Sequence, residues 1–250
     1  MSAYTYPCRV LAHRGGGTLA PENTLAGIRE AGARGFGGVE FDVMLARDDA
    51  PVLMHDDTID RTTSGRGAVP DHGADQLRRL DAGRWRDAKF AGEPVPSFQE
   101  AARLCLALGL FANVEIKPWG PGGVSVAAAT GRIVAGLSES LWAAAPGRVL
   151  LSSFSRIALA AAQSAAPEVP RALLFDAISG DWQDELRQLG CVALHCNAKR
   201  LSPDLAGAIK RAGYGLMCWT VNDPADACRL FDRGVDAICT DRLDLFAGVT

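Results

Sequence analysis

Two carboxylates one residue apart, Glu40 and Asp42, stand in the short apolar run Gly37-Gly38-Val39-Glu40-Phe41-Asp42-Val43. In a strand, successive side chains point to opposite faces, so these acids share one face and Val39, Phe41 and Val43 the other. At about 4–5 Å apart, two carboxylates repel by about 4 kcal/mol at an effective dielectric of about 20. Protonating one acid, spreading both into water or placing a cation between them removes that cost. The plain alternative is a half-wet strand whose polar face is solvated. The pattern recurs in Asn113-Val114-Glu115-Ile116-Lys117, where Glu115 and Lys117 share a face. Three carboxylates offered in this way suit one hard divalent ion, Mg2+ or Ca2+, rather than zinc or copper.

The elements that must position these groups follow an alternating rhythm. A strand over residues 8–12 closes on His13-Arg14-Gly15-Gly16-Gly17, and a helix covers about 25–34. After Asp42 the chain extends to Asp49, then turns back through Pro51-Val52-Leu53-Met54 to His55-Asp56. The stretch 57–96 breaks the rhythm with five glycines, three prolines and a helical piece near 75–80. It reads as a small insertion near the site, too poor in apolar residues to be a domain of its own; connections this long are often lids or binding loops.

From Ser97-Phe98-Gln99-Glu100, a capping box that opens a helix, the alternation is regular. Strands are predicted at 111–116, 149–151, 171–174, 191–194, 215–219 and 237–239, with helices between them. Counted from Val10, this makes eight strands, each but the last followed by a helix. The pattern predicts one closed (β/α)8 TIM barrel over residues 1–250, with the insertion between the second strand and its helix. A doubly wound open sheet competes, but the turn after the first strand lacks the G-x-G-x-x-G that a dinucleotide requires.

Composition narrows the classes. Apolar residues make up 48% and charged residues 22%, enough for a large core in a soluble protein. A net charge of −3 argues against a nucleic-acid binder. No run of about 18 uncharged apolar residues predicts a membrane span. The first seven residues lack a basic segment followed by an apolar stretch, so no signal peptide is expected. Seven cysteines with no C-x-x-C pair read as reduced, buried fillers. Together these predict a cytoplasmic protein.

In a barrel of this kind the site lies at the C-terminal ends of the strands. His13 and Arg14 end the first strand; Glu40 and Asp42 end the second, with His55 shortly beyond; Glu115 and Lys117 end the third. Ser152 and Ser153 end the fourth, His195 the sixth, Trp219 the seventh and Asp241 the eighth. Each alone has a plain explanation, since a lone histidine is usually structural and a tryptophan usually fills space. Their gathering at one end is what indicates a site. A hard cation, an arginine and a lysine suit an anionic oxygen centre such as phosphate. His13 and His55 can exchange protons near neutral pH. No nucleophile elbow, Walker loop or paired cysteine and histidine competes, so the reaction class is metal-assisted phosphoryl chemistry by acid–base catalysis.

These motifs resemble a known family. His13-Arg14-Gly15-Gly16-Gly17 with Pro21-Glu22-Asn23-Thr24-Leu25 resembles the opening motif of the glycerophosphodiester phosphodiesterases. So do Val39-Glu40-Phe41-Asp42-Val43, His55-Asp56 with Asp60-Arg61-Thr62-Thr63, Glu115-Ile116-Lys117-Pro118 and Trp219-Thr220-Val221-Asn222. The likeness runs over essentially the whole chain and is nearest the bacterial cytoplasmic type. It implies a small-molecule substrate, a glycerophosphodiester, cleaved to sn-glycerol 3-phosphate and an alcohol. It also implies that Glu40, Asp42 and Glu115 hold the divalent ion and that His13 and His55 are the acid–base pair. Arg14 and Lys117 would bind phosphate, and Trp219 would cover the glycerol. In the implied reaction the glycerol 2-hydroxyl attacks phosphorus, giving a cyclic phosphate that water opens.

Two departures stand out. Ala46-Arg47-Asp48-Asp49 replaces the family's usual T-x-D-G, though aspartate tolerates left-handed turn geometry. Leu243 stands where a proline is often found, a change expected to matter little. A related phosphodiesterase acting on lysophospholipid or sphingomyelin would call for exposed apolar loops, whereas the insertion offers only Trp85 and Phe90. A non-catalytic phosphodiester-binding barrel would have no use for the histidine pair.

Overall fold

Brief runs rich in valine, leucine and isoleucine are too short for helices and become strands buried on both faces. The amphipathic stretches between them become the helices that cover those strands. A computed structural model describes residues 4–119 and 123–246. Its strands are β1 (Val10–Ala12), β2 (Gly38–Leu45), β3 (Pro51–Leu53), β4 (Phe111–Ile116), β5 (Val149–Ser153), β6 (Arg171–Phe175), β7 (Ala193–Asn197), β8 (Gly215–Trp219) and β9 (Ala237–Thr240). The helices are α1 (Leu25–Ala33), α2 (Ala74–Leu77), α3 (Phe98–Ala107), α4 (Gly123–Leu141), α5 (Arg156–Ala165), α6 (Trp182–Gln188), α7 (Pro203–Arg211), α8 (Pro224–Asp232) and α9 (Leu243–Phe246).

All strands except β3 run parallel, and the sheet closes because β1 bonds to both β2 and β9. The chain is therefore a (β/α)8 barrel, as the alternation predicts. Across β2 and β4 the register sets Glu40 beside Asn113 and Asp42 beside Glu115, so acids from two staves stand at one height. β3 folds back antiparallel on the end of β2, pairing Leu53 with Val43. The turn between them survives its missing glycine: Asp49 takes φ +59°, and the Ala46 amide donates to the Ala50 carbonyl at 2.9 Å.

Three apolar layers hold these pieces. Val39, Phe41 and Val43 point outward under the helices, where the Phe41 ring meets Phe98 and Phe98 meets Trp142. Inward-facing Leu11, Phe111, Leu150 and Met217 fill the barrel interior with Tyr6. In the insertion, Ile59, Val69, Leu77 and Val95 pack on Met44, Val52 and Met54 of the β2–β3 hairpin. That small core is shared with the barrel's own extension, which is why so few apolar residues suffice.

Helix starts are set locally. Ser97 and Glu100 form the capping box at α3, and Thr24 caps α1. Ser202 and Asp223 cap α7 and α8, each with proline in the first turn. All seven cysteines are free, and all but Cys228 are buried. Among the described residues no helix is long and apolar enough to cross a membrane.

Candidate active site

The loop after β1 is tied to β2 by its own backbone. The Arg14 amide donates to Glu40 Oε2 at 2.9 Å, and the Gly15 amide to the Glu40 carbonyl at 2.8 Å. Arg14 itself has φ +51°, an uncommon conformation for a residue with a side chain and one that clusters at functional sites. Gly17 turns against the end of β9, where any Cβ would run into the Asp241 carbonyl and Leu243. The glycine run thus serves close backbone approach, and Leu243 is fully buried against it.

Glu40, Asp42 and Glu115 converge. One oxygen from each lies within 4.8 Å of the others. Glu40 is 4% exposed and Asp42 1%. Burial, with the charge of Asp42, pushes the Glu40 carboxyl up to about 7. Glu115 is raised well above the usual range by burial and by the charges of Asp42 and Glu40. Asn23 braces Asp42, donating Nδ2 to Oδ2 at 2.8 Å and accepting its amide at 3.0 Å. Lys117 Nζ stands 3.7 Å from Asp42 Oδ1. Beside Glu40, the buried Asn113 Oδ1 has no hydrogen-bond partner among the described residues. Closely spaced oxygen donors that repel each other when empty fit a hard divalent ion.

His13 and His55 are each held by a carboxylate. His13 Nδ1 is 2.6 Å from Asp241 Oδ1, and Asn222 fixes Asp241 by donating to Oδ2 at 3.1 Å and accepting its amide at 2.8 Å. Burial disfavours the His13 imidazolium, but the Asp241 hydrogen bond and the charges of Glu40 and Asp241 outweigh it and raise His13 above its ordinary value. His55 Nδ1 is 2.7 Å from Asp56 Oδ1. With Nδ1 occupied, Nε2 of each ring is left for proton exchange. His13 Nε2 faces the acids, 3.8 Å from Glu40 Oε2.

His13, Arg14, Glu40, Asp42, His55, Glu115, Lys117 and Trp219 all line one cavity of about 570 Å³. Two buried donors there have no partner among the described residues, Arg14 Nε and Trp219 Nε1. Trp219 stands edge-on to Phe154, their centroids 5.7 Å apart. Ser153 reaches the cavity and donates its hydroxyl to the Ile116 carbonyl at 2.6 Å, whereas Ser152 is buried outside it.

His195 does not belong to the site. β7 runs on to Asn197, so His195 lies inside the strand, fully buried, with Nε2 2.9 Å from the Tyr6 hydroxyl. Burial pushes it down to about 3, and it is a neutral core residue. Sequence reasoning in turn missed the braces Asn23, Asp56 and Asn222, and gave Asp241 a place but no task. The one local signal was an acid directly after a histidine in His55-Asp56.

Acids arranged for a hard ion, imidazoles seated on carboxylates and unpaired donors around one cavity are the equipment of a hydrolase of anionic esters. The sequence model of the glycerophosphoryl diester phosphodiesterase family matches residues 13–245. Over 233 residues the chain is 34% identical to a glycerophosphodiester phosphodiesterase of Caldanaerobacter subterraneus subsp. tengcongensis, covering 93% of each. A phosphodiesterase of Oleispira antarctica, solved in complex with the product sn-glycerol-3-phosphate, superposes with a TM-score of 0.85 at 34% identity, covering 93% of this chain and 92% of that one. A glycerophosphodiester phosphodiesterase of Agrobacterium tumefaciens gives 0.79 at 27% identity, covering 97% and 100%. The chain belongs to the glycerophosphoryl diester phosphodiesterase family and is an enzyme of that class.

Proposed function

We propose that this enzyme hydrolyses glycerophosphodiesters, small deacylated phospholipids, to sn-glycerol 3-phosphate and an alcohol. The observation that carries this reading is the convergence of the three acids with His13, His55, Arg14 and Lys117 on one cavity. Arg14 and Lys117 hold the phosphoryl oxygens, and Trp219 covers the glycerol with its ring while offering Nε1 to a hydroxyl or phosphoryl oxygen. His13, made more basic by Asp241, accepts the proton of the glycerol 2-hydroxyl as that oxygen attacks phosphorus. The bond to the alcohol oxygen breaks, and His55 gives that oxygen a proton. A cyclic phosphate results. In the second step the roles reverse: His55 takes a proton from water, water opens the ring, and His13 returns its proton to the 2-hydroxyl. A divalent ion held by Glu40, Asp42 and Glu115, Mg2+ or Ca2+, would neutralise phosphoryl charge and orient the glycerol hydroxyls.

In this reading residues 1–250 form one catalytic domain, cytoplasmic, acting on small molecules rather than on nucleic acid or membranes. The test is product analysis with glycerophosphocholine, glycerophosphoethanolamine and a lysophospholipid, each with and without Mg2+ or Ca2+. Release of sn-glycerol 3-phosphate from the first two, only with an ion, is expected. Faster cleavage of the lysophospholipid, or no release from any glycerophosphodiester, would overturn it.

A further inference from the structure

We propose that Arg61, in the insertion, is a positioning residue that couples the His55 side of the site to the Arg14 side. The inference rests on the proposed roles of those two residues. Arg61 grips two carboxylates at once. Nε and Nη2 donate to Asp56 Oδ2 and Oδ1 at 2.6 and 3.0 Å, while Nη1 and Nη2 donate to Glu22 Oε2 and Oε1 at 2.8 and 2.7 Å. Asp56 Oδ1 holds His55 Nδ1 at 2.7 Å, and Glu22 Oε1 takes Arg14 Nη1 at 2.9 Å. The line His55, Asp56, Arg61, Glu22, Arg14 is therefore unbroken. Arg61 does not line the main cavity; it borders a smaller one that shares His13 and Arg14 with it, and there its guanidinium is taken up by the two carboxylates, so it acts through its neighbours.

Stability alone does not explain this arrangement. The Arg61 side chain is 45% exposed, where an isolated ion pair contributes little to folding; a forked network contributes more, a share that the urea midpoint reads apart from positioning. Two forks on one planar guanidinium do something else: they fix the plane and distance of both carboxylates. The Trp85 ring, 5.9 Å away, backs the guanidinium from the insertion. The charge balance agrees. Arg61 holds the Asp56 carboxyl well below its usual range, and its hydrogen bond, with Arg14, lowers Glu22 against the effect of burial. The insertion thus has a task. It carries the crossbeam that sets an acid–base imidazole and a phosphate-binding guanidinium at a fixed separation.

The test compares Arg61→Ala and Arg61→Lys with Asp56→Asn and Glu22→Gln, reading kcat, KM, sn-glycerol 3-phosphate affinity and the urea midpoint. Both Arg61 variants should lose about 10–100-fold in kcat and weaken product binding several-fold while the protein stays fully folded under assay conditions, because small misplacements of reacting groups have effects of this size. Lysine keeps the charge but not the fork, so it should not rescue. Asp56→Asn should act mainly on kcat and Glu22→Gln mainly on KM. In the Asp56→Asn/Glu22→Gln background, Arg61→Ala should add almost nothing. Wild-type kcat and KM in folded Arg61→Ala, an undiminished effect in that background, or a loss that only follows a falling midpoint would each overturn the proposal. A wild-type enzyme inactive on every glycerophosphodiester would instead overturn the reading beneath it.

Discussion

His13 and His55 differ in sequence setting but share one arrangement, a ring whose Nδ1 is taken by a carboxylate. Replacing either by alanine should lower kcat by about 10²–10⁴-fold, the usual worth of a positioned acid or base. Folded variants with near-normal turnover would place the proton carriers elsewhere. Asp241→Asn should cost about 10–100-fold through misorientation of His13, measured as kcat with the fold checked by circular dichroism. An unchanged kcat would remove Asp241 from the mechanism. The titratable residues that meet at the cavity were legible from their types and from strand ends. Their braces were not: Asn23 meets Asp42, and Asn222 meets Asp241, only once neighbouring strands pair in register, and His13 meets Asp241 only where β1 closes on β9. His195 shows the converse: a strand that runs a few residues longer turns a candidate site residue into a buried one.

Elements reached from sequence were those with local causes. The Ser97 capping box and the strand at 111–116 fall where the residues demand them. Less legible was how closely helices approach. Gly131 of α4 faces the Ala158 carbonyl of α5 so tightly that a Cβ there would collide with it. Gly131→Leu should therefore destabilise by about 1–3 kcal/mol, the cost of overpacking, read from urea denaturation. A variant as stable as wild type would mean that α4 and α5 part without strain. Nor could sequence reveal that the insertion borrows its core from the β2–β3 hairpin, since that core depends on Met44, Val52 and Met54 pointing toward it.

At the scale of the molecule, the acid cluster sets a dependence on pH and on cations. The folded Glu40 carboxyl is raised to about 7 from its ordinary 4.5, so the metal-free protein binds more protons folded than unfolded between those values. Its stability should fall as pH rises through that window, and Glu115 acts in the same direction. A bound cation requires the ionised acids and reverses the trend. Saturating Mg2+ or Ca2+ should raise Tm by about 5–10 °C at pH 8 and distinctly less at pH 5.5, as seen by calorimetry. Equal gains at both pH values would dissociate the ion from these carboxylates. The most direct measurement is an anomalous difference map from crystals soaked in Mn2+, a stand-in for the harder ions. One strong peak among Glu40, Asp42 and Glu115 is the predicted result. A peak elsewhere, or none in crystals of an enzyme whose turnover needs the ion, would contradict the account.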